Sequence, residues 1–347
     1  MLHLLRDSVM TTKFFSGRTA RSVLAAALFV AATAASAQTQ TLLNVSYDVA
    51  REFYKDINAA FVPYYKKQTG KDIKIDQAHG GSSAQARAVN DGLDADVVTF
   101  NTTTDIEFLA GNGIVAKDWA KRFPNDASPT TSTMLFLVRN GNPKGIKDWD
   151  DLVKPGVQVV VVNPKTGGNG RYAYLAAWGY VRENGGTDAQ AAEFVKKLYG
   201  NVPVLGKGGR DATSIFLQRN IGDVLITFES EVISVDREFG KGKVDAIHPS
   251  TSIVAENPVA VVERTVAKKG TAEAAKAYLD FLYTEEGQEI AAQHALRPRS
   301  QAVLKKHADL FKPIKQYTVA KYFGSLGEAQ KVHFNDGGQF DKLYTVK

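Results

Sequence analysis

Apolar and polar residues alternate along this chain with two different periods. Residues 42–46, 95–100, 133–139, 157–162 and 223–228 are short apolar runs, several rich in β-branched residues, and they predict buried strands. Residues 71–77 alternate as a strand, and residues 259–263 add a late one. Between these runs the spacing changes. Phe53, Ile57, Phe61 and Tyr64 fall at i, i+4, i+8 and i+11, one face of a helix, which Pro63 is expected to kink or restart. Ala86, Val89 and Leu93 make a second helical face, and Tyr174, Trp178 and Val181 a third. Thr187 with Gln190 fits a capping box. Residues 272–295 read as two helices broken near Thr284 and Gly287. Strands alternating with helices predict an α/β protein built on parallel sheets. Two such sets without a linker predict two lobes joined by crossing strands.

The first 37 residues follow neither period. Lys13, Arg18 and Arg21 precede an apolar stretch over 23–32, then Ala35-Ser36-Ala37 and Gln38. This is the layout of a secretory signal peptide with cleavage expected after Ala37. The stretch is too short to anchor the chain, since a bilayer core of about 30 Å needs about 20 apolar residues. The expectation is an exported, soluble protein, periplasmic in a Gram-negative cell.

The leader also changes the charge. The whole chain carries +6, but residues 1–37 hold four basic residues and one acid, so the remainder carries +3. Lysine pairs such as Lys196-Lys197 sit on predicted helices and read as solvated faces. No basic stripe is interleaved with aromatics, which argues against nucleic acid. The chain has no cysteine, so a disulfide framework, a thiolate metal site and a catalytic thiol are excluded.

Three places share one plan, a strand running into a Gly- and Ser/Thr-rich turn that opens a helix: residues 80–83, 166–170 and 206–209. A helix N-terminus leaves backbone N–H groups unpaired and carries partial positive charge, and glycine lets the backbone approach a ligand closely. Three such turns favour a small anion held between lobes. Enzymatic readings fare worse. None of the turns has a P-loop pattern. His79-Gly80-Gly81 resembles an esterase oxyanion loop, but no G-x-S-x-G elbow accompanies it. The six histidines are scattered without metal-ligand spacing. Asp148, Asp150 and Asp151 flank Trp149 and read as a capped short helix, and Glu229 and Glu231 as hydrogen-bond acceptors for a neighbouring loop.

With these turns in view, the chain resembles the periplasmic sulfate/thiosulfate-binding proteins of ABC importers. The matching segments run in order across it: residues 42–48, His79-Gly80-Gly81-Ser82, residues 95–99, residues 136–144, Asn163-Pro164-Lys165, residues 174–180, residues 221–226, residues 285–292 and Arg297-Pro298-Arg299. The resemblance implies a type II periplasmic-binding-protein fold, two α/β lobes joined by two crossing strands with a ligand cleft between them. The expected division is a first lobe of 38–132 with 265–347 and a second of 133–264. It further implies a monomer that needs no cofactor and hands its ligand to a membrane permease.

In that family backbone N–H groups hold a dianion without a counter-charge. The resemblance carries those donors onto Asp48, Ser82, Gly168, Asn169 and Gly209, with Ser82 able to add its hydroxyl. A site of donors alone rejects a protonated oxyanion, whose hydrogen needs an acceptor. Two positions depart from the family pattern. Gly167 stands where the family has a ligand-contacting serine, and Phe228 where it has an indole donor. Thr166, the Asn169 side chain or a water is a candidate replacement. The extra room expected at Gly167 would suit thiosulfate or a small sulfonate. Ser83, Thr166, Arg171 and Arg210 are expected behind the ligand, bracing the turns against carboxylates, and Lys165 is read as solvated. An enzyme acting on a sulfur ester and a sensor subunit are the further readings.

Overall fold

The computed structural model describes residues 39–239 and 242–344; the expected leader lies outside the described residues. Strands β1 (Gln40–Tyr47), β2 (Ile73–Gly80) and β3 (Val97–Thr99) pair in parallel around β1. A fourth strand, completing the sheet, comes from far along the chain: β12 (Val259–Val261) lies antiparallel to β3, with Val259 opposite Thr99. Helices Arg51–Thr69 and Ala272–Phe281 cover this sheet, and Leu42, Val45, Phe61, Val98 and Tyr278 form its core. The Arg51–Thr69 helix runs through Pro63 without the expected restart. Phe61 is fully buried and Tyr65 nearly so on its core face, and this packing on either side of the proline outweighs the missing N–H.

The second sheet has the order β7-β6-β8-β5-β9. It comprises β5 (Met134–Arg139), β6 (Val159–Val162), β7 (Leu205–Gly206), β8 (Val224–Phe228) and β9 (Val244–Ile247). Both faces are covered. Phe136, Val159, Val161 and Ile226 pack on one side; Leu135, Leu137, Val160, Val162 and Leu225 pack on the other. Burial on both faces is why these strands read as unbroken apolar runs. The sheet is mixed rather than wholly parallel, because β5 runs antiparallel to β8 and β9.

The lobes are joined by a small sheet of β4 (Thr130–Ser132), β11 (Ala255–Asn257) and β13 (Arg297–Pro298), in the order β11-β4-β13. β4 carries the chain into the second lobe and β11 carries it back, the two crossings expected. There is also a third passage. β14 (Lys315–Tyr317) pairs with β10 (Thr251–Ile253), and Tyr317, Phe323, Leu326, Phe334 and Phe340 join the core of the second lobe. The expected division therefore fails at two places. The segment from Tyr317 to Phe340 packs on the second lobe, and β12 belongs to the first. Periodicity locates a buried face but does not say which core buries it.

Local signals hold well. Asp148 and Asp151 form a capping box over the short helix Trp149–Val153, and Thr187 and Gln190 form one over Asp188–Gly200. Thr284 caps Glu285–Gln293 through the Gly287 N–H.

Candidate functional site

Each of the three glycine-rich turns ends in a helix: Ser82–Asn90, Gly168–Glu183 and Gly209–Leu217. Their N-cap residues are Gly81, Gly167 and Gly208, and none has a side-chain cap. Some other helices are capped by hydroxyls, from Thr187, Thr284, Ser300 and Ser325, and several more, such as Arg51–Thr69 and Ala272–Phe281, also lack a side-chain cap. A glycine cap has no side-chain acceptor, so the first N–H groups of these three helices, apart from that of Arg210, which Asp48 accepts, stay available to an outside acceptor.

The fold brings the three turns together across the lobes. A Cβ placed on Gly81 of the first lobe would stand 3.1 Å from the Thr166 carbonyl oxygen and 3.2 Å from that of Lys207, both of the second. A Cβ on Gly168 would overlap the Asn101 carboxamide, and one on Gly208 would stand 2.5 Å from Asp48 Oδ2. Asp48 ties the first lobe to the third turn, accepting the Arg210 N–H at 3.0 Å. Burial pushes its carboxyl up, while the N–H groups of Arg210 and Val49 hold it down. Thr166 Oγ1 donates to the Lys207 carbonyl at 3.0 Å, linking the second and third turns. Asp48, Ser82, Gly168, Asn169 and Gly209 thus share one neighbourhood.

Two expectations at this cluster need correction. The Ser82 hydroxyl donates to Asp105 Oδ2 at 2.6 Å, so its proton is already committed and the residue's free donor is its backbone N–H. At Gly167 there is no spare room, because a Cβ there would stand 3.1 Å from Val162 Cγ1. Phe228 is buried against Tyr172, ring centroids 6.1 Å apart, within the second lobe's core. Asn169 turns its Nδ2 to Thr227 Oγ1 at 3.1 Å.

Behind the turns lies a buried polar network. Arg171 donates through Nη1 to Thr104 Oγ1 at 2.8 Å and to Asp105 Oδ1 at 3.2 Å, through Nη2 to Ser83 Oγ at 2.9 Å, and through Nε to the Pro164 carbonyl at 3.2 Å. Ser83 donates in turn to Asp105 Oδ1 at 2.8 Å. Arg171 therefore braces the second turn against a carboxylate of the first lobe. Arg210 lies 3.7 Å from Glu231, which accepts the Thr213 hydroxyl at 2.6 Å. Glu229 accepts two hydrogen bonds from Arg297, at 2.8 and 2.9 Å. Both acids are acceptors as expected, Glu229 for the Arg297 guanidinium and Glu231 for the Thr213 hydroxyl. Asp105 and Asn101 were not singled out in the sequence. Thr102-Thr103-Thr104-Asp105 directly after a strand was the signal available, since it reads as a helix start rich in hydroxyls.

Lys165 is not merely solvated. Its ammonium lies 2.9 Å from Asp341 and 3.3 Å from Asp336. A cavity of about 420 Å³ lined by Trp178, Tyr322 and His333 includes none of the turn residues. Among the described residues no helix is long and apolar enough to cross a membrane, and no cluster of His, Cys, Asp and Glu could hold a metal ion.

Comparison with known proteins agrees with this architecture. The family model for bacterial extracellular solute-binding proteins matches residues 42–297. A thiosulfate-binding protein of Pseudomonas aeruginosa is 55% identical over 325 residues, 93% of this chain and 97% of that protein. A sulfate-binding protein of Escherichia coli is 49% identical over 315 residues, 90% of this chain and 96% of that protein. Among solved structures, a sulfate-binding protein from Mycobacterium tuberculosis aligns with a TM-score of 0.76 at 33% identity, covering 84% of this chain and 98% of its own. A periplasmic thiamin-binding protein shares the fold at a TM-score of 0.67 and 17% identity, over 90% of this chain and 98% of its own. The chain has the type II periplasmic-binding fold and belongs to the bacterial extracellular solute-binding proteins, in the group whose relatives are named for sulfate and thiosulfate.

Proposed function

We propose that this protein captures sulfate or thiosulfate between its lobes and delivers it to the permease of an ABC importer. It works in the periplasm as a monomer, after its leader is removed behind Ala37. The observation that carries this reading is the meeting of three glycine-capped helix N-termini at one point between the lobes. The N–H groups of Asp48, Ser82, Gly168, Asn169 and Gly209 replace water around the anion. Their fixed dipoles stabilise a buried dianion without a cation in contact. Arg171 and Arg210, the arginines next to the second and third turns, support this assignment, because they are paired with Asp105 and Glu231.

The Asp48 carboxylate already accepts N–H groups from Val49 and Arg210. The helix N-terminal N–H groups are all donors, which favours a fully deprotonated dianion over a protonated oxyanion such as hydrogen phosphate, whose hydroxyl would have to reach Asp48 or the Asn101 and Asn169 carboxamide oxygens at the edge of the turns. The ligand joins turns from both lobes, so it stabilises the closed arrangement.

Calorimetry on the protein freed of its leader, with sulfate, thiosulfate, phosphate, molybdate and taurine, tests the proposal. Saturable one-to-one binding of sulfate or thiosulfate, with little response to phosphate, is expected. Absence of heat and of any rise in melting temperature with both sulfur anions would sink it.

A further inference from the structure

Lys165 stands one residue before the second anion turn, and its ammonium leaves the cleft. It donates to the Asn335 carbonyl at 3.2 Å and pairs with Asp341 at 2.9 Å and Asp336 at 3.3 Å, all on the C-terminal segment. Asp341 accepts the Gly337 N–H at 2.8 Å as well, so its carboxylate is held from two sides. The same segment grips the helix that the turn opens. Phe334 packs on Tyr174 of Gly168–Glu183 with ring centroids 5.1 Å apart, and the Tyr174 hydroxyl meets His333 Nδ1 at 3.0 Å. One segment therefore holds the helix by its apolar face and the turn before it by an ion pair.

The turn itself is stiff enough to transmit that hold. The Lys165 N–H donates to Asn163 Oδ1, and the N–H groups of Thr166 and Gly167 donate to the Asn163 carbonyl. Thr166 then bonds the third turn through the Lys207 carbonyl.

We infer that the Lys165–Asp341 pair is a positioning contact for ligand binding, fixing the turn so that the N–H groups of Gly168 and Asn169 keep their aim at the anion. The inference rests on the sulfate or thiosulfate reading above. The pair touches no ligand and acts through the backbone of residues 163–170. Positioning and direct charge attraction predict opposite signs for one substitution. Removing the Asp341 charge would leave Lys165 with Asp336 as its remaining carboxylate, so less of its charge would be neutralised and a dianion would bind more tightly if attraction ruled; it would loosen the turn and weaken binding if positioning rules. The pair is partly exposed, with Lys165 at 26% and Asp341 at 36%, so the effect belongs to the upper range for such pairs, about fivefold in affinity.

The test compares the unaltered protein with Lys165→Met, Asp341→Asn and the double variant. It measures sulfate and thiosulfate affinity by calorimetry and amide hydrogen exchange of residues 163–170 without ligand. Each single change is expected to weaken binding about fivefold, the double change no more than either alone, and exchange in the turn is expected to quicken. Lys165→Arg restores most of the affinity. Tighter binding by Asp341→Asn, or unchanged affinity and exchange in both single variants, overturns the inference. If the unaltered protein binds neither anion, the functional reading falls and the exchange measurement alone decides whether the pair holds the turn.

Discussion

Arg171 of the second lobe meets Asp105 of the first at 3.2 Å, and both side chains are almost wholly buried. The pair exists only while the lobes are together, so it ties closure to the turns on either side of it. Breaking a buried pair by removing one partner leaves the other charge uncompensated. Ser82 and Ser83 still donate to Asp105 when Arg171 is gone, which lowers the cost. Arg171→Met is expected to destabilise the ligand-bound protein by about 2 kcal/mol, and Asp105→Asn by a similar amount. The double variant should lose less than the sum of the two. Thermal unfolding with saturating sulfate measures this; strict additivity would count against a shared network.

Gly168 and Gly208 sit where the lobes leave no space for a side chain. Gly168→Ala forces its methyl group into Asn101, and Gly208→Ala forces one towards Asp48, so closure is expected to be impeded in both. Overpacking of this kind costs about 1–3 kcal/mol, a loss of about 5- to 150-fold in sulfate affinity. Gly168→Asp adds a carboxylate beside the anion and should abolish binding. Circular dichroism of the ligand-free variants should be unchanged, since the clash arises only on closure; a lost fold would reassign these glycines to stability.

Gly167→Ser restores the side-chain donor that the family resemblance implies at this position. Its Cβ must displace Val162 Cγ1 by a few tenths of an ångström. A charge-assisted hydrogen bond outweighs that adjustment, so sulfate is expected to bind about tenfold more tightly. Titration calorimetry decides it, and equal or weaker binding would mean that the turn already presents its full set of donors.

His333 is buried beside Tyr174, Trp178 and Phe323, and burial pulls its pKa down to about 4, with Asp188 opposing slightly. The folded chain therefore keeps it neutral while the unfolded chain protonates near pH 6.5. Between those values the unfolded state binds the extra proton, so stability falls as pH drops from about 6.5 to 4 and levels off below. The loss attributable to this residue is about 3 kcal/mol. Urea unfolding at pH 7, 5.5 and 4 should show it, and His333→Gln should flatten that part of the profile. An unchanged slope in the variant would assign the sensitivity elsewhere.

Much of this was legible in the sequence where the cause is local. The capped short helix at Asp148, the capping box at Thr187, the break at Thr284 and the three glycine turns each depend on residues a few positions apart. What was missed depends on partners far along the chain. Lys165 reads as solvated until Asp341 is folded beside it. Asp105 gains its role from Arg171, 66 residues later. Ser82 loses its hydroxyl to an acid that no spacing rule connects to it. Pro63 signals a kink or restart, and tertiary packing carries the helix through it without a restart.

The first sheet takes its last strand from Val259–Val261, laid against β3 some 160 residues upstream. During synthesis the first lobe therefore waits with an unpaired edge at β3 while the whole β5–β9 sheet is made. Neither lobe is a continuous stretch of chain, so neither can be cut out and expected to fold alone. Pairings this distant in sequence close late, and the nascent protein spends its early life as a chain whose first folding unit cannot yet be finished.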